Sequence, residues 1–133
     1  MTTNFIPDGT VAREVLDGRT LEWLSVPSVT GAESLVVLRI EMPAGGGHTF
    51  HRHPNQEEFL YVIDGTLEQW VHDQRRTLAA GDACFIPRNT VHASFNASRE
   101  REAVLLAVLG PSVGESGATM IEVGDQEPWA SLR

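Results

Sequence analysis

The chain reads as short runs of alternating apolar and polar residues broken by turn signals, without a convincing amphipathic helix. "LVVLRIEM" puts Leu38, Ile40 and Met42 on one face and Arg39 and Glu41 on the other, the period of a strand with one buried side. "VAREVL-DG-RTLEWLSV" predicts a hairpin about Asp17-Gly18, because Asp-Gly readily supplies the positive φ angles of tight turns. "EEFLYVI-DG-TLEQWVH" predicts a second hairpin about Asp64-Gly65. "DACFIP", "VHASFN" and "AVLLAVL" add further strands, Pro27 to Glu33 reads as a loop, and Gly45-Gly46-Gly47 as a bend. Many short strands with frequent turns predict an all-β sandwich or barrel. No repeat or linker divides residues 1–133, which read as one domain, and residues 124–133 read as a tail that lays Trp129 on the outer surface or on a partner subunit.

Composition narrows the chemistry. A net charge of −8, from 18 acidic against 10 basic residues, repels phosphate backbones, so neither nucleic acid nor an anionic membrane is expected as a partner. All the basic residues are Arg, and the absence of Lys removes Schiff-base chemistry, a lysine-held pyridoxal cofactor and a P-loop lysine. The "GGG" bend lacks the Lys-Ser/Thr pair of a phosphate loop, and no G-x-S-x-G nucleophile elbow is present. The single cysteine, Cys84, cannot form an internal disulfide and reads as a small buried hydrophobe in a reducing compartment. The N-terminus lacks the basic start and apolar core of a signal peptide, and no apolar run approaches the ~20 residues of a membrane span, so a cytoplasmic location is expected.

The histidines carry the remaining signal. His51 and His53 are two apart and so share a face of a strand, the chain returns through Glu57 and Glu58, and His92 on a later strand could close the set. His48, three residues from His51, faces the other way if the strand is regular, so His48 and His72 read as surface or hydrogen-bonded residues.

These residues resemble the two motifs of the cupin superfamily. The first, G-x5-H-x-H-x(3,4)-E-x6-G, is met across residues 45–65 by Gly45, His51, His53, Glu58 and Gly65. The second, G-x5-P-x-G-x2-H-x3-N, is met across residues 81–96 by Gly81, Pro87, His92 and Asn96, with Asn89 in place of its middle glycine. Asn tolerates the left-handed backbone region better than most residues, so that departure is mild. Glu57 would serve the shorter first-motif spacing, but Glu58 also satisfies the run to Gly65.

The resemblance implies a small β-barrel of the jelly-roll kind and makes His51, His53, Glu58 and His92 the ligands of one divalent metal per chain. Three imidazoles and a carboxylate suit Fe, Mn, Ni, Zn or Cu and leave one or two positions open for water or substrate. By strand parity, Glu58, Leu60 and Val62 point inward and Phe59, Tyr61 and Ile63 outward. Leu67, Gln69 and Val71 form a second inward set opposite Glu68, Trp70 and His72, so Met42, Leu60, Val62, Gln69 and Ser94 are the expected pocket wall. The implied activity is a metal-dependent dioxygenase acting on an enol, catechol or diketone-like small molecule, with Glu58 both ligand and proton acceptor. A non-oxidative isomerase, cyclase or lyase and a non-catalytic binding module are the alternatives. The expected assembly is a homodimer, with Trp129 a candidate contact.

Overall fold

The computed structural model describes residues 1–133. Its strands are β1 (Arg13–Leu16), β2 (Arg19–Ser25), β3 (Val36–Met42), β4 (Gly47–Arg52), β5 (Glu57–Asp64), β6 (Thr66–Val71), β7 (Gln74–Ala79), β8 (Ala83–Ile86), β9 (His92–Asn96), β10 (Ala103–Gly110) and β11 (Ile121–Glu122). Two one-turn helices, α1 (Pro27–Thr30) and α2 (Trp129–Leu132), complete the inventory. All strand pairs are antiparallel, in one sheet ordered β1-β2-β3-β10-β5-β8 and a second ordered β11-β4-β9-β6-β7. The expected all-β jelly-roll barrel is the observed architecture.

Alternation along the strands builds the core between the sheets. Leu60 and Val62 of β5 are buried while Phe59, Tyr61 and Ile63 are exposed, as their parity requires. Met42, Val62, Ala103 and Leu105 of the first sheet pack with Leu67 of the second, and each fully buried large aliphatic contributes about 1.5–3 kcal/mol. A second cluster gathers Leu21, Val36, Leu38, Leu60, Ile86 and Leu109, with Cys84 packed against it as a partly buried apolar residue. The outer face of the second sheet is covered by the chain's own end. Val123, Trp129 and Leu132 pack with Phe50 and Trp70, and Trp129 stacks on Phe50 with ring centroids 5.7 Å apart. Trp129 thus lies on the outer surface, but its ring is largely committed within its own chain.

Two local expectations fail for physical reasons. Pro27 to Glu33 is not all loop: Pro27 sits in the first turn of α1, where its missing N–H costs nothing, and Gly31 at φ 75° ends the helix by donating to the Pro27 carbonyl. Asp64-Gly65 is not a hairpin turn. One residue separates β5 from β6, too few for the two-residue loop of a hairpin, and the strands belong to different sheets. Gly65, at φ 82°, is the bend that passes the chain from one sheet to the other; a Cβ there would lie 2.7 Å from the Glu102 carbonyl oxygen. The hairpin in this region is β6–β7, turned at His72-Asp73.

Candidate metal centre

The crossing between the sheets builds the site. β4 and β9 pair with His51 directly opposite His92, so two imidazoles meet on the inner face of the second sheet. His53 follows the end of β4, and β5 carries Glu58 in from the facing sheet, flanked in register by Leu109 and Ile86. Side chains of His51, His53 and His92 offer ring nitrogens within 4.8 Å of one another. Glu58 Oε1 is 3.0 Å from His53 Nε2 and 3.3 Å from His92 Nε2. All four residues are buried, with relative exposures of 4% (His51), 9% (His53), 7% (Glu58) and 1% (His92). Glu57, one residue earlier, is exposed and points away.

The tautomers follow from the backbone. His51 Nδ1 lies 2.6 Å from the Thr49 carbonyl oxygen, His53 Nδ1 2.8 Å from that of Thr119, and His92 Nδ1 2.9 Å from that of Thr90. A carbonyl only accepts, so each Nδ1 carries a proton and Nε2 is the atom each ring offers to the common centre. This is how metal-ligating histidines are oriented by their outer partners. His92 Nε2 decides the fit: it is fully buried and makes no hydrogen bond, its approach to Glu58 lying outside hydrogen-bonding geometry. An unpaired buried polar atom costs about 1–3 kcal/mol, and a cation at the centre would remove that cost. The donor set therefore fits a divalent transition metal.

Electrostatics agree with an ionised carboxylate at the centre. Burial opposes ionisation of Glu58, but its contact with His53 and the charges of His92 and His53 beside it outweigh that and hold the carboxyl well below the usual range. Burial, followed by the charges of His92 and His48, pushes His51 well down. Burial also opposes charging of His53, yet its contact with Glu58 prevails and raises it.

A cavity of about 230 Å³ opens onto His51, His53 and Glu58, walled by Leu21, Trp23, Leu38, Ile40, Ala107 and Leu109. A smaller adjoining space of about 30 Å³ is lined by His92, Ser94, Met42 and Leu60 as well as His51 and Glu58. Of the expected wall, Met42, Leu60 and Ser94 line this space, whereas Val62 and Gln69 do not. Val62 is sealed in the aliphatic cluster, and the Gln69 amide, although inward, accepts from Ser94 Oγ at 2.6 Å and donates to the Trp70 carbonyl.

The Cupin domain family model matches residues 38–109, more than half of the chain. The chain belongs to the cupin family. Among curated relatives it is 31% identical over 94 residues to germin-like protein 8-14 of Oryza sativa subsp. japonica, covering 66% of this chain and 44% of that protein. It is 33% identical over 82 residues to the tetracenomycin polyketide synthase protein TcmJ of Streptomyces glaucescens, covering 62% and 55% respectively. The chain thus spans about half the length of these two relatives. The pectin degradation protein KdgF of Dickeya dadantii aligns almost end to end, at 27% identity over 111 residues and 94% of its length. Among solved structures, KdgF from Halomonas sp. superposes with a TM-score of 0.71 at 19% identity over 82% of this chain and 94% of that one. The Lactobacillus farciminis oxalate decarboxylase superposes at 0.74 and 20% identity over 92% of this chain and 36% of that one. At such identities the structures establish the fold alone.

Three features of this cupin's site were not visible in its sequence. A register shift in β4 between His48 and His51 turns His48 to the same side as His51, so the two rings stack with centroids 3.5 Å apart, and His48 lines the cavity instead of facing away. Gln56 looks like a solvated turn residue but is 1% exposed; its amide donates to the Pro111 and Gly117 carbonyls and accepts from Thr119 N–H, fixing the loop whose carbonyl holds His53. Arg19, Leu21 and Trp23 of β2 form one side of the cavity. His72, by contrast, is exposed in the β6–β7 turn beside Asp73, as its surface reading expected.

Proposed function

We propose that this cupin is a mononuclear metal-dependent enzyme, a dioxygenase acting on a compact enol, catechol or diketone-like molecule, with His51, His53, Glu58 and His92 holding the ion. The observation that carries the reading is the convergence of backbone-anchored imidazoles and one ionised carboxylate on a point that opens into an apolar cavity. A bound divalent ion (Fe, Mn, Ni, Zn or Cu) would supply Lewis acidity towards an enol oxygen and, if redox-active, a centre for dioxygen chemistry. The remaining work belongs to the chain. Leu21, Trp23, Leu38 and Ile40 take the carbon skeleton and exclude water. Glu58, ionised and buried where the cavity meets the imidazoles, is placed to accept the substrate's proton at a carboxylate oxygen.

Oxygen uptake by Fe-, Mn-, Ni- and Cu-loaded protein with catechol, flavonol and β-diketone substrates tests this reading. Consumption coupled to substrate loss supports the oxygenase. Equal conversion under anaerobiosis or with zinc would replace it by a non-oxidative isomerase, cyclase or lyase on the same residues, and binding without conversion would replace it by a binding module.

A homodimer remains the proposed assembly, but the contact moves from Trp129 to the exposed Phe59, Tyr61, Ile63 and Phe85 of β5 and β8. β8 is the free edge of its sheet, so a second copy would cover both the apolar face and the unpaired edge. Light scattering at micromolar concentration should report a dimer, and Phe59→Glu with Phe85→Glu should yield a monomer. No helix of the chain is long and apolar enough to cross a membrane, and a cytoplasmic location remains part of the proposal.

A further inference from the structure

Arg19, the first residue of β2, is the only Arg lining either space at the candidate centre. It borders both the 230 Å³ cavity and the 30 Å³ space shared by His51, Glu58 and His92. Half of this chain's ten arginines have polar side-chain partners. Arg13 and Arg39 sit among Glu22 and Glu41, Arg52 donates to Asn89, Arg101 pairs with Asp64 and Arg133 with Glu68. Arg75, Arg88 and Arg99 are exposed to water. Arg19 differs from both groups: it is half-buried, and the acids that act on it, Glu122, Glu14 and Asp17, do so without an ion pair or hydrogen bond. Its burial outweighs the charges of Glu122, Glu14 and Asp17, so the guanidinium sits in partial desolvation with no hydrogen-bonded or ion-paired side chain.

A guanidinium is a planar fork whose parallel N–H donors match the two oxygens of a carboxylate. Around it, Leu21, Trp23, Leu38 and Ile40 offer apolar surface for a carbon skeleton. The cavity volume of about 230 Å³ lies below the ~300–1,000 Å³ typical of pockets for drug-sized ligands, which restricts the guest to a small molecule.

We propose that Arg19 is the binding residue for a carboxylate on the substrate, so that this cupin takes a small carboxylic acid whose second oxygen function faces His51, His53, Glu58 and His92. The second clause rests on the metal-enzyme reading; the first stands on Arg19 and the cavity alone. Carboxylate binding then fixes the guest's orientation, with one end on β2 and the other at the imidazoles.

The test is calorimetric binding of matched pairs, salicylate with salicylamide, pyruvate with pyruvamide and benzoate with benzamide, to metal-free and zinc-loaded protein. At least one acid should bind the wild type about ten- to a hundredfold more tightly than its amide, the worth of charge-assisted hydrogen bonds to a guanidinium. Arg19→Gln should bring that ratio to near unity while circular dichroism stays unchanged, and Arg75→Gln, which removes the same charge outside the cavity, should leave it intact. Equal binding of acid and amide, a preference that survives Arg19→Gln, or no binding by any pair would overturn the proposal. Should Arg19→Gln fail to fold, Arg19→Lys carries the test: a several-fold weaker preference supports the fork, and an unchanged one overturns it. An acid preference that depends on Arg19 in protein that binds no zinc would sink the metal reading and leave the carboxylate site standing.

Discussion

Two histidine–carboxylate clusters share His51 and differ in what their ring nitrogens face. In the interior cluster, His51, His53 and His92 each give Nδ1 to a backbone carbonyl and turn Nε2 towards Glu58's side of the barrel. At the rim, His48 stacks on His51, but its Nε2 lies 2.7 Å from Glu122 Oε1 and is consumed there. Glu122 is half exposed, so water can solvate that pair, whereas no water-filled surface reaches His92 Nε2. Proximity alone would rate both clusters as metal sites. What separates them is anchoring: in the interior a backbone acceptor takes Nδ1–H and leaves Nε2 to converge, whereas at the rim a half-exposed carboxylate occupies His48 Nε2.

The largest effect that would break this comparison is on stability. Zinc at ~1,000 times its dissociation constant should stabilise the wild type by about 4 kcal/mol, read from thermal melts with and without chelator. His53→Ala or His92→Ala should lose that increment, and His48→Ala and His72→Ala should keep it. Next comes catalysis. Glu58→Gln should retain some metal yet lose about 10²–10⁴-fold in turnover, because an amide cannot accept the substrate's proton.

The pH dependence sharpens the contrast further. A ligating ring must be neutral, and His53 is raised above the ordinary value of 6.5 by Glu58, so metal must displace a proton from it as pH falls. The decline in affinity as pH falls should therefore begin above the ordinary imidazole value of ~6.5, at about tenfold per unit for one proton displaced. His48, lowered to about 4 by burial, stays neutral through that window, and His48→Ala should leave the profile unmoved. The smallest effect belongs to the rim pair: Glu122→Gln should change stability by less than about 1 kcal/mol and leave metal stoichiometry unchanged.

Much of the interior cluster was legible because it rests on local rules. Asn89 stands where the motif has glycine and adopts φ 58°, the left-handed backbone its position demands, from which its N–H donates to the His53 carbonyl. Strand parity placed Glu58, Leu60 and Val62 inward, and the structure buries all three. The misses arise where a local signal leaves a tertiary choice open. Asp-Gly specifies a bend but not which sheet receives the next strand, so β5 and β6 read as a hairpin. Parity assumes a regular strand, and the register shift between His48 and His51 reverses it for His48. Arg19, Gln56 and the loop of Ser116 to Met120 reach the site only through long-range packing, for which a single sequence carries no period.

The most direct test is metal content per chain in protein purified without chelators and reloaded in turn with Fe, Mn, Ni, Zn and Cu. One ion per chain is expected in the wild type, His48→Ala and His72→Ala proteins, with a sharp loss in His53→Ala and His92→Ala. Wild-type protein that holds no ion under any loading, or equal occupancy across all four variants, would contradict the assignment.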